Sequence, residues 1–253
     1  PTAARVKSAH VAHVFDRGVS EEGIPFIVME LLDGETVAER LERRGYFSLA
    51  ETRAVLAQAA RALSKAHAIG LVHCDVKPEN LFLVEGEPEL FVKLLDFGIA
   101  YHIGEAGEPG LVLGTPSYMA PEQLTPGATL GTSTDVWSLG VVVYEMLTSR
   151  VPFDASSLEE AKALLGRERP TPVSTLRPDL PEEIDGFFTR ALHPEPGHRF
   201  ATMGEMVRAF DRALQMPDIV LIRPRSATLA ELERTAGVEA DAPREEQIGR
   251  AHV

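Results

Sequence analysis

The sequence predicts an α+β chain: a few short strands first, then a helical body that carries one small strand pair. Three observations predict it. The first 30 residues alternate in short apolar runs. After residue 35, four Ser/Thr-x-x-Glu signatures each open a stretch of helical apolar periodicity. Between Gly70 and Gly98 the pattern returns to short strands.

The early runs are HVAHVFDRG (10–18) and PFIVME (25–30), separated by the turn-like VSEEG, and they read as strand, loop and strand. The helix starts are Thr36 with Glu39, Ser48 with Glu51, Ser157 with Glu160 and Thr202 with Glu205. In each, a hydroxyl can take the N–H of the third helical residue while the glutamate reaches back. From Ser48, the residues Val55, Leu56, Ala59, Leu63 and Ala66 keep one helical face, and Gly70 supplies a stop.

LFLV (81–84) and LFVKLLDFG (90–98) then read as two strands around the acidic turn EGEPE. DVWSLGVVVYEML (135–147) is predicted helical in spite of its β-branched Val141-Val142-Val143. It is longer than a typical strand, and a helix apolar all round is what a domain centre requires. Residues 181–214 give two more helices around HPEPGHRF (193–200). After Met216-Pro217 the sequence decays into a polar, charged tail with one short helical stretch near Leu229–Thr235.

Composition narrows the function classes. At 253 residues, 44% hydrophobic and 25% charged, the chain has ample apolar mass for a core and fits one large domain or two lobes. A net charge of −13 argues against nucleic acid or an anionic membrane surface as the main partner, since both reward Lys and Arg. Arg outnumbers Lys, 20 against 5, which we read as codon bias. Cys74 is the sole cysteine, so no internal disulfide and no oxidising compartment are needed, and we expect a cytoplasmic protein. No apolar run reaches the roughly 18 residues of a membrane span, and no signal segment leads the chain.

The chemistry concentrates in His73-Cys74-Asp75-Val76-Lys77-Pro78-Glu79-Asn80, followed 16 residues after Asn80 by Asp96-Phe97-Gly98. Moving a phosphoryl group from ATP needs the triphosphate charge neutralised, usually by Mg²⁺ on hard oxygen ligands, and a group that orients the attacking hydroxyl and takes its proton. The Asp75 carboxylate suits the second task. The Asn80 amide oxygen and the Asp96 carboxylate suit the first, as metal ligands. Lys77 projects on the same side of an extended loop as Asp75 and can neutralise charge on the transferred phosphate, and Pro78 stiffens the loop.

On these residues the sequence resembles the eukaryotic-type (Hanks-type) protein serine/threonine kinases of bacteria, over residues 3 to about 216. HCDVKPEN matches the catalytic loop, DFG the Mg-binding motif, and Ala120-Pro121-Glu122 the end of the activation segment. GTPSYMAPE around Thr115 looks like the serine/threonine form of the substrate-binding loop. Asp135, in DVWSLG, resembles the aspartate that braces the catalytic loop, and Arg199 the arginine that pairs with Glu122. The resemblance implies a kinase-like fold, a protein substrate, ATP and Mg²⁺. It also implies an adenine site on VMELLDGET: Met29 gating the back pocket, the backbones of Glu30 and Leu32 binding adenine, and Phe82 as its floor. His73, Phe97 and Val14 are expected to pack.

Two departures matter. No G-x-G-x-x-G occurs in these residues, and no strand lysine of the kind that binds the α- and β-phosphates is recognised. Residues 3–9 align with the end of the helix that carries the lysine's glutamate partner. We therefore expect an N-terminally truncated chain, lacking on the order of 50 residues of the small lobe. The expected organisation is 1–29 as a lobe remnant (end of a helix and two strands), 30–216 as hinge and helical lobe, and 217–253 as tail or linker. Such a chain is expected to be an incomplete or inactive fragment of an enzyme. The alternatives are a non-catalytic, kinase-like interaction module and, more weakly, a small-molecule phosphotransferase, against which GTPSYMAPE and Arg199 speak.

The second departure is Cys74, where most such kinases carry an arginine that receives an activation-loop phosphate. Leu111-Val112-Leu113 puts no Ser or Thr where that phosphosite usually lies. Receptor and site are missing together, so we expect no switching by phosphorylation there. The thiol itself is expected to be inert.

Overall fold

The structure, a computed structural model, describes residues 6–86, 89–96, 101–103, 115–165 and 167–215. The expected tail helix near Leu229–Thr235, and Phe97 and Gly98 of the DFG motif, lie outside them.

Strand β1 (Val14–Val19) pairs antiparallel with β2 (Pro25–Met29), with an irregularity between Val14 and Asp16. The strand is shorter than the apolar run that predicts it. Val11 instead bridges to Leu94, with Ala12 N–H donating to Leu94 O at 3.0 Å, so the front of the run serves another sheet. Residues 6–10 hold no helix.

That other sheet has the order β3 (Gly34–Thr36), β5 (Leu81–Val84), β6 (Phe91–Leu94), all antiparallel. β5 and β6 are the predicted pair, and β3 is an addition. Gly34 allows it: its φ is +141°, and a Cβ there would lie 2.0 Å from the Leu83 carbonyl oxygen. Two further short strands, β4 (Leu71–Val72) and β7 (Tyr101–His102), pair antiparallel, and β4 leads directly into the His73–Asn80 loop.

The helices start where hydroxyls signpost them. Helix α1 (Val37–Arg44) and α2 (Leu49–His67) both carry complete capping boxes, Thr36 with Glu39 and Ser48 with Glu51. At α4 (Leu158–Leu165) and α7 (Met203–Ala213) the hydroxyl half forms, from Ser157 and Thr202, but each glutamate reaches one residue further back. Glu160 takes the N–H of Ser156 and Glu205 that of Ala201, both at 2.8 Å. Helix α5 (Val173–Leu176) is one short turn, and α6 (Glu183–Ala191) is the first of the two helices expected in 181–214.

Helix α3 (Thr132–Thr148) is the centre: every residue from Thr134 to Tyr144 is buried. The valine run is helical because tertiary burial on all sides overrides β propensity. Trp137 stacks on Phe153 at 5.6 Å, and Tyr144 meets Phe188 edge-on. Helices α2, α6 and α7 pack around it through Leu56, Leu63, Phe187, Phe188, Met206 and Phe210 in one core cluster. Arg53 of α2 and Asp211 of α7 add an ion pair at 2.7 Å. Gln58 of α2 satisfies the outer edge of β6, donating to Leu90 O and accepting from Val92 N–H. Sheet and helices are thereby joined at the strand pair that frames the chemistry. No helix among the described residues is long and apolar enough to cross a membrane.

Candidate active site

The loop between β4 and β5 is held from below by one fully buried carboxylate. Asp135, in the first turn of α3, accepts the N–H of His73 and of Cys74, both at 2.9 Å, and the Nε2 of His67 lies 2.7 Å from it. Three donors meeting one carboxylate satisfy a charge that burial alone would make costly. Cys74 takes the left-handed conformation, φ +66°, which turns the chain sharply between His73 and Asp75. His73 is fully buried: its Nδ1 accepts the Asp75 N–H at 3.2 Å, so its Nε2 carries the proton and donates to Leu95 O at 3.1 Å.

Around Asp75 the predicted polar groups converge. Lys77 Nζ lies 3.0 Å from Asp75 Oδ2 and 3.4 Å from Thr115 Oγ1, so one ammonium links the His73–Asn80 loop to the start of the segment that runs from Thr115 to Glu122. Asn80 sits at the end of the 3₁₀ turn Pro78–Asn80. Its Nδ2 donates to Asp75 O at 2.8 Å and to Asp75 Oδ2 at 3.1 Å. Both neighbours are acceptors, which fixes the amide orientation and turns Oδ1 away from Asp75. Asp96 follows β6 with φ +46°, and the Leu95 N–H just before it donates to Asn80 O at 2.8 Å, so the two segments are tied backbone to backbone.

This donor set fits Mg²⁺. Asn80 and Asp96 offer hard oxygens, and Mg²⁺ is characteristically held by one or two carboxylates together with substrate phosphates. Among the described residues no group of three or more His, Cys, Asp or Glu side chains is arranged to hold a metal without such help.

Of the residues expected around adenine, Phe82 lies on β5, and Glu30 reaches the β5–β6 hairpin through Lys93. Glu30 follows β2, and its carboxylate is engaged by Lys93 Nζ at 2.6 Å and by the His13 N–H at 2.6 Å. Those partners hold the Glu30 carboxyl below its usual range in spite of its partial burial. Lys93 stands directly opposite Phe82 in the β5–β6 register, so the lysine that Glu30 engages is the cross-strand neighbour of Phe82. Leu32 is half-buried, and Met29 is 40% exposed at the end of β2.

The segment from Thr115 to Glu122 ends on a buried ion pair. Arg199 donates to Glu122 Oε1 at 2.7 Å and Oε2 at 2.8 Å, and also to the carbonyls of His193, Ser133 and Pro194. All five guanidinium donors are used, which only arginine can supply. The guanidinium also lies 4.9 Å from the Trp137 ring centre. Thr134 of α3 donates to the same Glu122, so the end of the activation segment is clamped to the central helix.

Three contributors escaped the sequence reading. His67 supports Asp135 from the end of α2. Gln123 donates to Cys74 O at 2.8 Å and accepts the Ala120 N–H at 3.0 Å. Tyr118 Oη donates to Glu145 Oε2 at 2.7 Å. Each is one polar residue with a partner far away in sequence, so no periodicity marks it.

The contacts join the Asp75 carboxylate, the Lys77 ammonium, the Asn80 amide and the Thr115 hydroxyl in one polar cluster, and Asp96 lies one residue beyond Leu95, whose N–H is tied to the Asn80 carbonyl. The profile of the family described as Protein kinase domain matches residues 3–210. The chain belongs to the protein kinase family. This kinase chain is 32% identical over 240 residues to the serine/threonine-protein kinase PknB of Mycolicibacterium smegmatis, covering 90% of this chain and 38% of that protein. It is 35% identical over 248 residues to Pkn1 of Myxococcus xanthus, covering 94% and 34%. The kinase chain thus spans little more than a third of the length of these relatives. Among solved structures it is similar to the PknI kinase domain of Mycobacterium tuberculosis, with a TM-score of 0.69, 30% identity, and 85% of this chain and 76% of that one covered. The fold is that of the protein kinases, and the chain sits with the bacterial Hanks-type kinases.

Proposed function

We propose that these residues form the catalytic part of a protein serine/threonine kinase that moves the γ-phosphate of ATP to a protein hydroxyl. The observation that carries this reading is the linked set in which Asp75 meets both Lys77 and Asn80, and Lys77 in turn meets Thr115, each at hydrogen-bond or ion-pair distance. In the reaction, a serine or threonine hydroxyl of the substrate protein faces Asp75 Oδ1 or Oδ2. The hydroxyl oxygen bonds to the γ-phosphorus, the bond from that phosphorus to the bridging oxygen breaks, and the hydroxyl proton passes to Asp75. Lys77, between Asp75 and Thr115, offsets the charge spread over the phosphoryl oxygens, and Thr115 fixes the lysine against the substrate-binding segment. Asn80 and Asp96 would hold Mg²⁺, which when bound neutralises the phosphate charge. Glu30 and Leu32 present their backbone to adenine above Phe82. With an unpaired thiol and a nucleotide substrate, we place this reaction in the cytoplasm.

The same reading extends to regulation. Cys74 packs with Val72, Leu130 and Tyr101, and the charged groups acting on it are the carboxylates of Asp135, Glu122 and Asp75. Burial pushes its thiol pKa up, and those carboxylates push the same way. A phosphate brought to this position would meet an apolar nook in a negative field, instead of an arginine. Between Asp96 and Thr115 the only hydroxyl side chain is Tyr101. The proposed enzyme is therefore independent of a phosphate in that segment.

The test uses the full product of the gene, because the glycine-rich loop is absent from the 253 residues. Transfer of labelled phosphate to a protein acceptor is compared for the wild type and Asp75→Asn. A fall of about 10²- to 10⁴-fold is expected, and equal rates would remove Asp75 from its role. Phosphatase treatment should leave the rate unchanged. An activity-linked phosphate at Tyr101 would refute the regulatory half.

A further inference from the structure

The Cys74 carbonyl and the Asp75 N–H belong to one planar peptide unit, so fixing both fixes the position from which the Asp75 side chain departs. The N–H end is held by His73 Nδ1 at 3.2 Å. The carbonyl end is held by Gln123, whose Nε2 donates to Cys74 O at 2.8 Å. The other end of the same amide, Oε1, accepts the Ala120 N–H at 3.0 Å. One side chain thus spans the catalytic loop and the segment that closes the substrate site. The peptide needs such a hold. Cys74 is left-handed, a conformation that a residue with a Cβ does not favour, and Asp135 secures only the two N–H groups that precede the Asp75 peptide.

We propose that Gln123 is a positioning residue for phosphoryl transfer. By pinning the carbonyl end of the Cys74–Asp75 peptide to the substrate segment, it sets the aim of Asp75 at the acceptor hydroxyl. The proposal rests on the reading of Asp75 as the group that takes the hydroxyl proton. It makes the aim of Asp75 and the placement of the substrate segment a single geometric event: neither can shift without straining the same amide. Glutamate at this position keeps an acceptor for Ala120 N–H but, ionised, has no donor for Cys74 O and sets two acceptors against each other. Methionine has nearly the same length and makes neither bond.

The experiment compares the wild type, Gln123→Glu and Gln123→Met in the full gene product. Steady-state kinetics should show kcat lowered about tenfold in both variants with KM for ATP within about twofold, the signature of an interaction that acts on the transition state. In parallel, hydrogen exchange at the Asp75 amide should quicken at least about fivefold in both variants, with the amides of α6 and α7 unchanged. A kcat within twofold of the wild type in both variants, or an Asp75 amide as slow as before, would overturn the proposal. Exchange that quickens equally across the whole domain would also overturn it, since Gln123 would then be a general stabiliser. If the wild type transfers no phosphate, the kinase reading fails, while the exchange measurement still decides whether Gln123 holds the Asp75 peptide.

Discussion

Glu145 sits half-buried on α3, with Tyr118 Oη donating to it and Glu79 close enough to repel it. Burial raises its pKa, the tyrosine bond works against that, and Glu79 adds to the rise. Below the ordinary carboxylate value of 4.5, both folded and unfolded chains bind the proton, and the site carries no penalty. As pH climbs from there through the raised folded value, the folded chain holds the proton longer, so stability falls with pH across that window. Gln at this position accepts the same tyrosine bond without the charge. Glu145→Gln is therefore expected to have a higher urea midpoint than the wild type at about pH 7.5, and the two should coincide at about pH 4. A difference that persists unchanged at the lower pH would mean that packing, not charge, sets it. At this scale the sequence was informative where chemistry is local. Asp75, Lys77 and Asn80 fall within six residues, and their spacing alone puts them on one loop. His67 and Gln123 were illegible because their partners, Asp135 and Cys74, are 68 and 49 residues away.

Elements were legible in proportion to how much of their stability is written locally. Ser48 and Glu51 exchange hydrogen bonds across one turn, and α2 begins there as expected. Ser48→Ala leaves Glu51 N–H to water and frees the glutamate that answers it. A loss of about 1 kcal/mol in unfolding free energy is expected, read by urea denaturation with unchanged slope. At α4 and α7 the same signature was read correctly as a start, but the glutamate partner was off by one residue. The side chain of Glu is long enough to reach either of two exposed N–H groups, and the path of the preceding loop chooses between them. β3 was missed for a different reason. Three residues have no period, and their strand character comes from Gly34 facing Val84 across the sheet. Single short turns such as α5 are missed on the same ground.

The molecule as a whole has a graded interior. Trp137, the sole tryptophan, is 1% exposed between Phe153 and Arg199 in the central cluster. The β1–β2 hairpin is the opposite: Phe15 is 64% exposed and Val19 65%, so little burial holds it beyond its own ladder. Two-stranded ribbons are marginal alone. Amides of the hairpin are expected to exchange at urea concentrations that leave Trp137 emission unchanged, whereas α3 amides should exchange only with the red shift of that emission. Simultaneous loss of both signals would show one cooperative unit.

By itself the sequence determined the class of the fold, the order of most helices and the loop that carries Asp75, because periodicity, caps and contiguous polar spacing are local properties. Only the tertiary structure decided what else holds that loop. Asp135 under the loop and the Glu122–Arg199 pair were anticipated through the family resemblance, whereas His67 and Gln123 emerged only from the fold, because a buried polar group finds its partner through packing that no short window of sequence contains.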